Sequence, residues 1–440
     1  MPHRLSRMTV LLIAATMLVG VAASVGIARA EEYPLAPAVE CRPRGGLPNV
    51  LAKLRAGGEV RIAYLGGSIT AQNGWRPKTL AWFQEQYPDA RVSEINAAIG
   101  GTGSDLGCFR LTHDVLRHKP DLLFVEFAVN DGGAPPENIY RSMEGIVRQT
   151  WRHDPRTDLC FVYTITKSLA GPMLEGKFPR AASADERIAD HYGIPSIHMA
   201  MEVARLAKAD RLVWAAKKPK TDAERAALGD KMIFAGDGVH PYPDTGHELY
   251  LEAVVRGVTA MADVGRPGPH ALPEPLRPDN WERATMVPLS RLAPGDGWAR
   301  LDPETDGMAK RWSSRLPEVW KTPAAGARLT FRFKGTTAAV YDLLGPDCGQ
   351  VAVTLDDKKP VTRPRFDRYC TYHRLATLPI GRDLTDGVHT VSLQLLADPP
   401  DKVAIFKKGR QEAEDPATNP KYRGINWYAG AVLLVGELVE

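Results

Sequence analysis

The chain has 440 residues, of which 44% are hydrophobic and 25% charged, and a formal charge of +4. This composition is ordinary for soluble globular protein of about two domains, and it excludes collagen-like, low-complexity and disulfide-scaffold polypeptides. Losing Arg4, Arg7 and Arg29 with the leader described next leaves 4 − 3 = +1, so no nucleic acid or other polyanion is expected as a partner.

The chain opens with His3, Arg4 and Arg7, then an apolar run from Met8 to Ile27 and Ala28-Arg29-Ala30 ahead of Glu31. A charged n-region, an apolar h-region and an A-x-A site predict a signal peptide over 1–30. The mature protein is then secreted or periplasmic, with no stable membrane anchor after cleavage. Residues 31–57 read as a lead-in. Over 58–265, short apolar runs (Val60–Leu65, Val92–Ile99, Leu122–Val129, Leu159–Ile165, Ile194–Ile197) alternate with amphipathic stretches. Two of those stretches, Glu137–Arg152 and His247–Met261, read as helices. The pattern predicts a doubly wound α/β domain, a parallel sheet with helices on both faces. The basic run Lys217-Lys218-Pro219-Lys220 reads as a surface insertion.

Prolines and glycines over 266–280 predict a linker. Beyond it, from 281 to 440, Leu329–Phe333, Ala338–Leu343, Val351–Leu355, Val388–Leu396, Val403–Phe406 and Ala429–Val435 read as strands without intervening helices. That is an all-β sandwich of jelly-roll type. The cysteines are Cys41, Cys108, Cys160, Cys348 and Cys370, an odd number, so at least one is unpaired within the chain. A Cys348–Cys370 pairing is left open.

The chemistry-bearing residues stand at strand ends, where open α/β sheets bind ligands. Gly66-Gly67-Ser68-Ile69-Thr70 places a serine after the first strand, and Thr70 excludes the G-x-S-x-G elbow. Alone, Ser68 is either a nucleophile or part of a Gly-Ser turn. Ala235-Gly236-Asp237-Gly238-Val239-His240 offers a base with a carboxylate to orient it, and a buried carboxylate there would complete a triad. The competing reading is a hydrogen-bonded turn. Asn96-Ala97-Ala98-Ile99-Gly100-Gly101 supplies a backbone N–H, and Asn130 in Val129-Asn130-Asp131 supplies a side-chain amide, as donors to a developing oxyanion. Two rivals are set aside. A metal site of Asp237, His240 and His247 lacks a zinc spacing, and Gly101–Gly107 follows the wrong strand for a dinucleotide loop. His198 and His247 read as structural. No cofactor and no metal are expected.

These four blocks, in this order, resemble the SGNH hydrolases, or GDSL esterases, over residues 58–265. The resemblance implies Ser68 as nucleophile and oxyanion donor, Asp237 and His240 as its partners, and Gly101 and Asn130 as the other donors. Gly101 is selected over Gly100 because it stands five residues after Asn96. Gly67 replaces the aspartate of Gly-Asp-Ser, and Ala128 replaces the glycine of Gly-x-Asn-Asp. With an appended β-sandwich the chain is similar to secreted bacterial carbohydrate acetylesterases, which implies an acylated carbohydrate substrate. A lipase, thioesterase or O-acyltransferase with the same triad is one alternative, and a non-catalytic carbohydrate-binding protein is another. Trp427, Tyr428, Tyr369, Tyr372 and His373 are read as sandwich core first and sugar platforms second. The sequence leaves the oligomeric state open.

Overall fold

The structure, a computed structural model, describes residues 34–407 and 415–439. The expected signal peptide falls on residues 1–30, outside them. Residues Pro34–Glu440 form one compact unit. Among the described residues no helix is long and apolar enough to cross a membrane.

The α/β portion holds a six-stranded sheet: β1 (Cys41–Arg42), β2 (Glu59–Gly66), β3 (Arg91–Asn96), β4 (Leu122–Glu126), β5 (Asp158–Tyr163) and β6 (Ser196–His198). Its order is β1-β6-β5-β4-β2-β3, parallel throughout except for β1 at the edge. The central strands β4 and β5 are buried at every position, which accounts for their unbroken apolar runs. Helices Ser104–Asp114, Pro136–His153 and Arg180–Tyr192 pack together as one group, and Trp75–Gln86, Met201–Lys208 and Gly246–Ala260 as another. Chain order reverses around β2, so the carboxyl ends of β2, β3 and β4 open onto a crevice at the switch point. A separate parallel pair, β7 (Leu212–Ala215) and β8 (Met232–Ala235), was not read from the sequence.

The Pro-rich stretch 266–280 is tied down on the α/β body. Asn49 bonds Gly268, His270 bonds Asp158 at 2.8 Å and stacks on Trp151, and buried Glu144 accepts the backbone N–H groups of Leu276 and Arg277. Trp281 then packs on Phe109, and Arg141 reaches Asp383 at 2.8 Å, seating the C-terminal portion on helices Ser104–Asp114 and Pro136–His153.

That portion comprises β9 (Ala284–Pro288), β10 (Ala299–Leu301), β11 (Val319–Thr322), β12 (Arg328–Leu344), β13 (Gln350–Leu355), β14 (Val361–Pro364), β15 (Arg374–Gly381), β16 (Gly387–Leu395) and β17 (Trp427–Val439). The strands form one continuous antiparallel sheet in the order β10-β11-β17-β12-β16-β13-β14, with β15 beside β12 and β9 beside β17. The two runs expected near 329 and 338 are one strand. A register shift between Gly335 and Thr337 lets its first half pair with β16 and its second with β15. Alternate residues of β12 and β16 turn inward, so Leu329, Phe331, Phe333, Val391 and Leu393 join Trp427 in one core.

Two expectations are corrected here. Val403–Phe406 belongs to a helix, Lys402–Lys407, started by the Asp401 carboxylate accepting the Ala404 N–H; a short apolar run does not by itself separate strand from helix. Helix Gly307–Trp312 also interrupts the strands, capped by Asp306. All five cysteines are free thiols, Cys348 and Cys370 among the buried ones.

Beneath this core Asp342, fully buried, accepts from the Arg365 guanidinium at 2.6 Å and from the Trp427 indole N–H at 3.2 Å. Removing one partner of such a pair strands the other charge. Asp342→Ala is therefore expected to cost about 3–5 kcal/mol in denaturant unfolding, against near-neutral changes at exposed acids.

Candidate active site

Ser68 stands two residues past the end of β2, after Gly67, at the first position of the short helix Ser68–Ala71. The turn is fixed from below by Glu126, the last residue of β4, which is buried. Its carboxylate accepts from the Thr70 hydroxyl at 2.9 Å, the Thr164 hydroxyl at 2.7 Å and the Gly67 backbone. Burial pushes the Glu126 carboxyl up, and those hydrogen bonds offset part of the push. From the other side His247 holds the segment after the helix. Its Nδ1 accepts the Trp75 N–H at 3.1 Å and its Nε2 lies 3.3 Å from Gln72 Oε1. Burial, with Lys78 and His240 nearby, pushes His247 down to about 4. Both ring nitrogens are thus engaged away from Asp237, and the neutral ring serves the turn.

The base comes from the loop after β8. Lys167 N–H bonds the Gly238 carbonyl and Tyr242 N–H bonds the Phe234 carbonyl, which closes the loop over the sheet edge. His240 Nε2 lies 2.9 Å from Ser68 Oγ, and His240 Nδ1 lies 2.7 Å from Asp237 Oδ2. The expected buried carboxylate is not what the structure has: the Asp237 side chain is 56% exposed. Desolvation raises its pKa, but N–H donation from His240 and Val239 and the imidazole outweigh that and hold it down to about 2. Fixed hydrogen bonds in place of burial keep it ionised and the imidazole oriented.

Asn130 and the Gly100-Gly101 loop stand on either side of the serine turn, Asn130 against Gly67 and Gly100 against Ser68. Asn130 follows β4, and its side-chain amide lies directly over the Gly67 Cα: a Cβ there would sit 1.9 Å from Asn130 Oδ1. Among the described residues that amide has no hydrogen-bond partner, so its donors are free. On the other flank Gly100 is the glycine whose Cα faces Ser68, with an added Cβ 3.4 Å from the Ser68 Cβ, while Gly101 is exposed with φ +76°. This left-handed residue turns the loop into the next helix.

Asp131 fixes that loop. It accepts the Ser104 N–H at 3.1 Å at the start of helix Ser104–Asp114, and a Cβ on Gly103 would meet it at 2.4 Å. Burial pushes its carboxyl up to about 7. The folded chain thus holds this proton more tightly than the unfolded one, so its contribution to stability is present below about pH 4 and is lost as pH rises through about 7. Asp131→Asn should therefore gain in melting temperature relative to wild type as pH rises from about 4 to about 7, in a pH series of thermal scans.

Glu126 and Asp131 were missed as functional positions. The signal for Glu126 is an acid inside an otherwise apolar run, Leu122–Val129. Lys217–Lys220 lies on a surface loop, with Lys218 bonded to Asp244. His198 is buried and stacked on Phe178. Of the aromatic candidates, Trp427 and Tyr428 are core, whereas Tyr369 and Tyr372 are 48% and 54% exposed.

A cleft of about 590 Å³ runs between the loop Ile99–Leu106 and the β-portion residues Arg311, Trp312, Arg315 and Tyr372–Thr377. Its wall includes Gly100, whose added Cβ would lie 3.4 Å from the Ser68 Cβ, while neither Ser68 nor His240 lines it.

Residues 64–249 match the GDSL-like lipase/acylhydrolase family. No curated protein matches the sequence. Among solved structures, the chain is similar to a two-domain esterase active on acetylated mannans, co-crystallised with mannopentaose. The two share 20% identity over 90% of this chain and 97% of that one, with a TM-score of 0.66. A single-residue mutant of an acetyl-xylooligosaccharide esterase from Geobacillus shares 17% identity over 45% of this chain and 94% of its own, with a TM-score of 0.36.

Proposed function

We propose that this chain, whose α/β portion is a GDSL-like lipase/acylhydrolase domain, removes O-acetyl groups from a polysaccharide through Ser68, His240 and Asp237. The observation that carries the reading is the unbroken chain Ser68 Oγ, His240, Asp237 beside an Asn130 amide with free donors. His240 Nε2 takes the Ser68 proton as Oγ attacks the acetyl carbonyl, and the carbonyl oxygen becomes an oxyanion facing Asn130, the Gly101 N–H and the Ser68 N–H. Collapse expels the sugar oxygen with the proton returned by His240, leaving acetyl-Ser68. Water, deprotonated by the same imidazole, releases acetate.

The fold shared over both portions with an esterase active on acetylated mannans supports a carbohydrate ester, and the signal-peptide pattern in the sequence of residues 1–30 supports action outside the cytoplasm. The test is acetate release from a chromogenic acetate ester and from a panel of acetylated polysaccharides, with fluorophosphonate labelling alongside. Labelling at Ser68 with acetate released from a polysaccharide is expected. Labelling with turnover of long-chain or thioesters alone would reassign the acyl group, and an unreactive serine would overturn the mechanism.

A further inference from the structure

We propose that the cleft between the Ile99–Leu106 loop and the β-portion binds a carboxylate-bearing sugar, so that the polysaccharide this chain works on is an acidic, uronate-containing one. The inference rests on the carbohydrate esterase reading above and narrows its substrate class.

Two arginines one helical turn apart, Arg311 and Arg315, line the cleft at the end of helix Gly307–Trp312. Their guanidinium carbons stand 5.5 and 5.6 Å from the centre of the Trp312 ring. That ring is 4% exposed, so it is a fixed platform, while both arginines are exposed. Cation–π stacking orients a guanidinium without using its N–H donors. Among the described residues neither arginine has a carboxylate partner.

The other charges along the cleft are already matched. Asp105 faces Arg382 at 4.0 Å, His373 bonds Asp347 at 2.7 Å, and Arg374 bonds Asp367. In the adjoining groove that shares Arg315, Asp114 is paired with Arg110 and His113, and Glu94 with Arg76. In the cleft itself the unbalanced charge is therefore the arginine pair, with Arg117, bonded to His118 and without a carboxylate partner among the described residues, adding a further cation in the adjoining groove. The planar forks of Arg311 and Arg315 fit a carboxylate by two parallel hydrogen bonds. A neutral glycan laid there would cover two cations without compensating them, a cost that an anionic sugar turns into affinity. Exposed Tyr372 on the same wall offers a face for a sugar ring.

Binding separates this from catalysis. Unacetylated galacturonate oligomers and their methyl esters, titrated into the wild-type chain by calorimetry, should differ roughly tenfold or more in Kd in favour of the free acid. High salt should shrink the difference. Arg311→Gln with Arg315→Gln should erase it, and Arg311→Glu with Arg315→Glu should make the methyl ester the tighter ligand, which a misfolded chain would not do. Equal affinity of wild type for the two forms, or a preference that survives both substitutions, would overturn the proposal. A chain that binds the free acid yet releases no acetate sinks the esterase reading alone. One that deacetylates neutral and acidic oligomers with equal kcat/KM sinks the uronate subsite alone.

Discussion

Ser68→Ala is expected to lower kcat on a small acetate ester by about 10⁴–10⁶-fold, and His240→Ala by a similar factor, because the pair acts as one unit. The 2.9 Å contact between Ser68 Oγ and His240 Nε2 is the only route in this site by which the hydroxyl can be deprotonated as it attacks, among the described residues. Once either partner is gone the other contributes nothing further, so the double variant should be no slower than the worse single one. Asp237→Asn should cost about 10⁴-fold, by presenting the imidazole in the wrong tautomer. The exposure of Asp237 does not soften this. Its Oδ1 holds the Val239 and His240 backbone N–H groups while Oδ2 holds the ring, so the amide cannot serve all three donors at once. Steady-state rates with far-UV dichroism as a folding control decide it. A Ser68→Ala chain that keeps wild-type turnover would remove the serine mechanism.

How far the sequence could be read follows from the range of each interaction. The central parallel strands were legible because each is covered on both faces and so reads as a continuous apolar run, as in Leu122–Glu126 and Asp158–Tyr163, whereas the outer strand Arg91–Asn96 is largely exposed. That Ser68, His240 and Asp237 would meet was legible because strand ends carry the chemistry in this topology and the blocks resemble a known family, whereas the packing of Gly100 rather than Gly101 against Ser68 was not. What was not legible depends on partners distant in sequence. The edge strand β14 is exposed at all four positions, so no apolar pattern marks it. Strand β12 looked like two because Gly335 interrupts the apolar run where the register against β17 shifts, a close crossing in which a Cβ would sit 2.2 Å from the Val435 carbonyl oxygen. Glu126 acquires its meaning only when Thr70 and Thr164, 56 and 38 residues away, close on it. The cleft needs residues on either side of a 200-residue separation to meet, roughly 99–106 with 311–377.

Gly67→Ala is expected to reduce kcat by about 10²–10³-fold with little change in KM, the loss that follows removal of one oxyanion donor, about 2.7–4 kcal/mol. The reason is steric and local. An added Cβ would lie 1.9 Å from Asn130 Oδ1 and 2.7 Å from its Cγ, so the methyl group and the amide cannot occupy the same space. The turn is held by Glu126 through Gly67 and Thr70, which leaves the side chain of Asn130 as the part that moves. Gly67→Asp, which restores the residue common in the resembling family, should therefore be at least as damaging as alanine. Glycine at 67 and the placement of Asn130 are in this account one feature, and the departure from Gly-Asp-Ser is what admits the amide so close to the nucleophile's turn. A double-mutant cycle tests that directly. If Gly67→Ala acts by displacing the amide, then Gly67→Ala with Asn130→Ala should be no slower than Asn130→Ala alone. Multiplicative losses would mean that Gly67 acts through the backbone of the Ser68 turn, and a silent Gly67→Ala would mean that Asn130 donates from a different position.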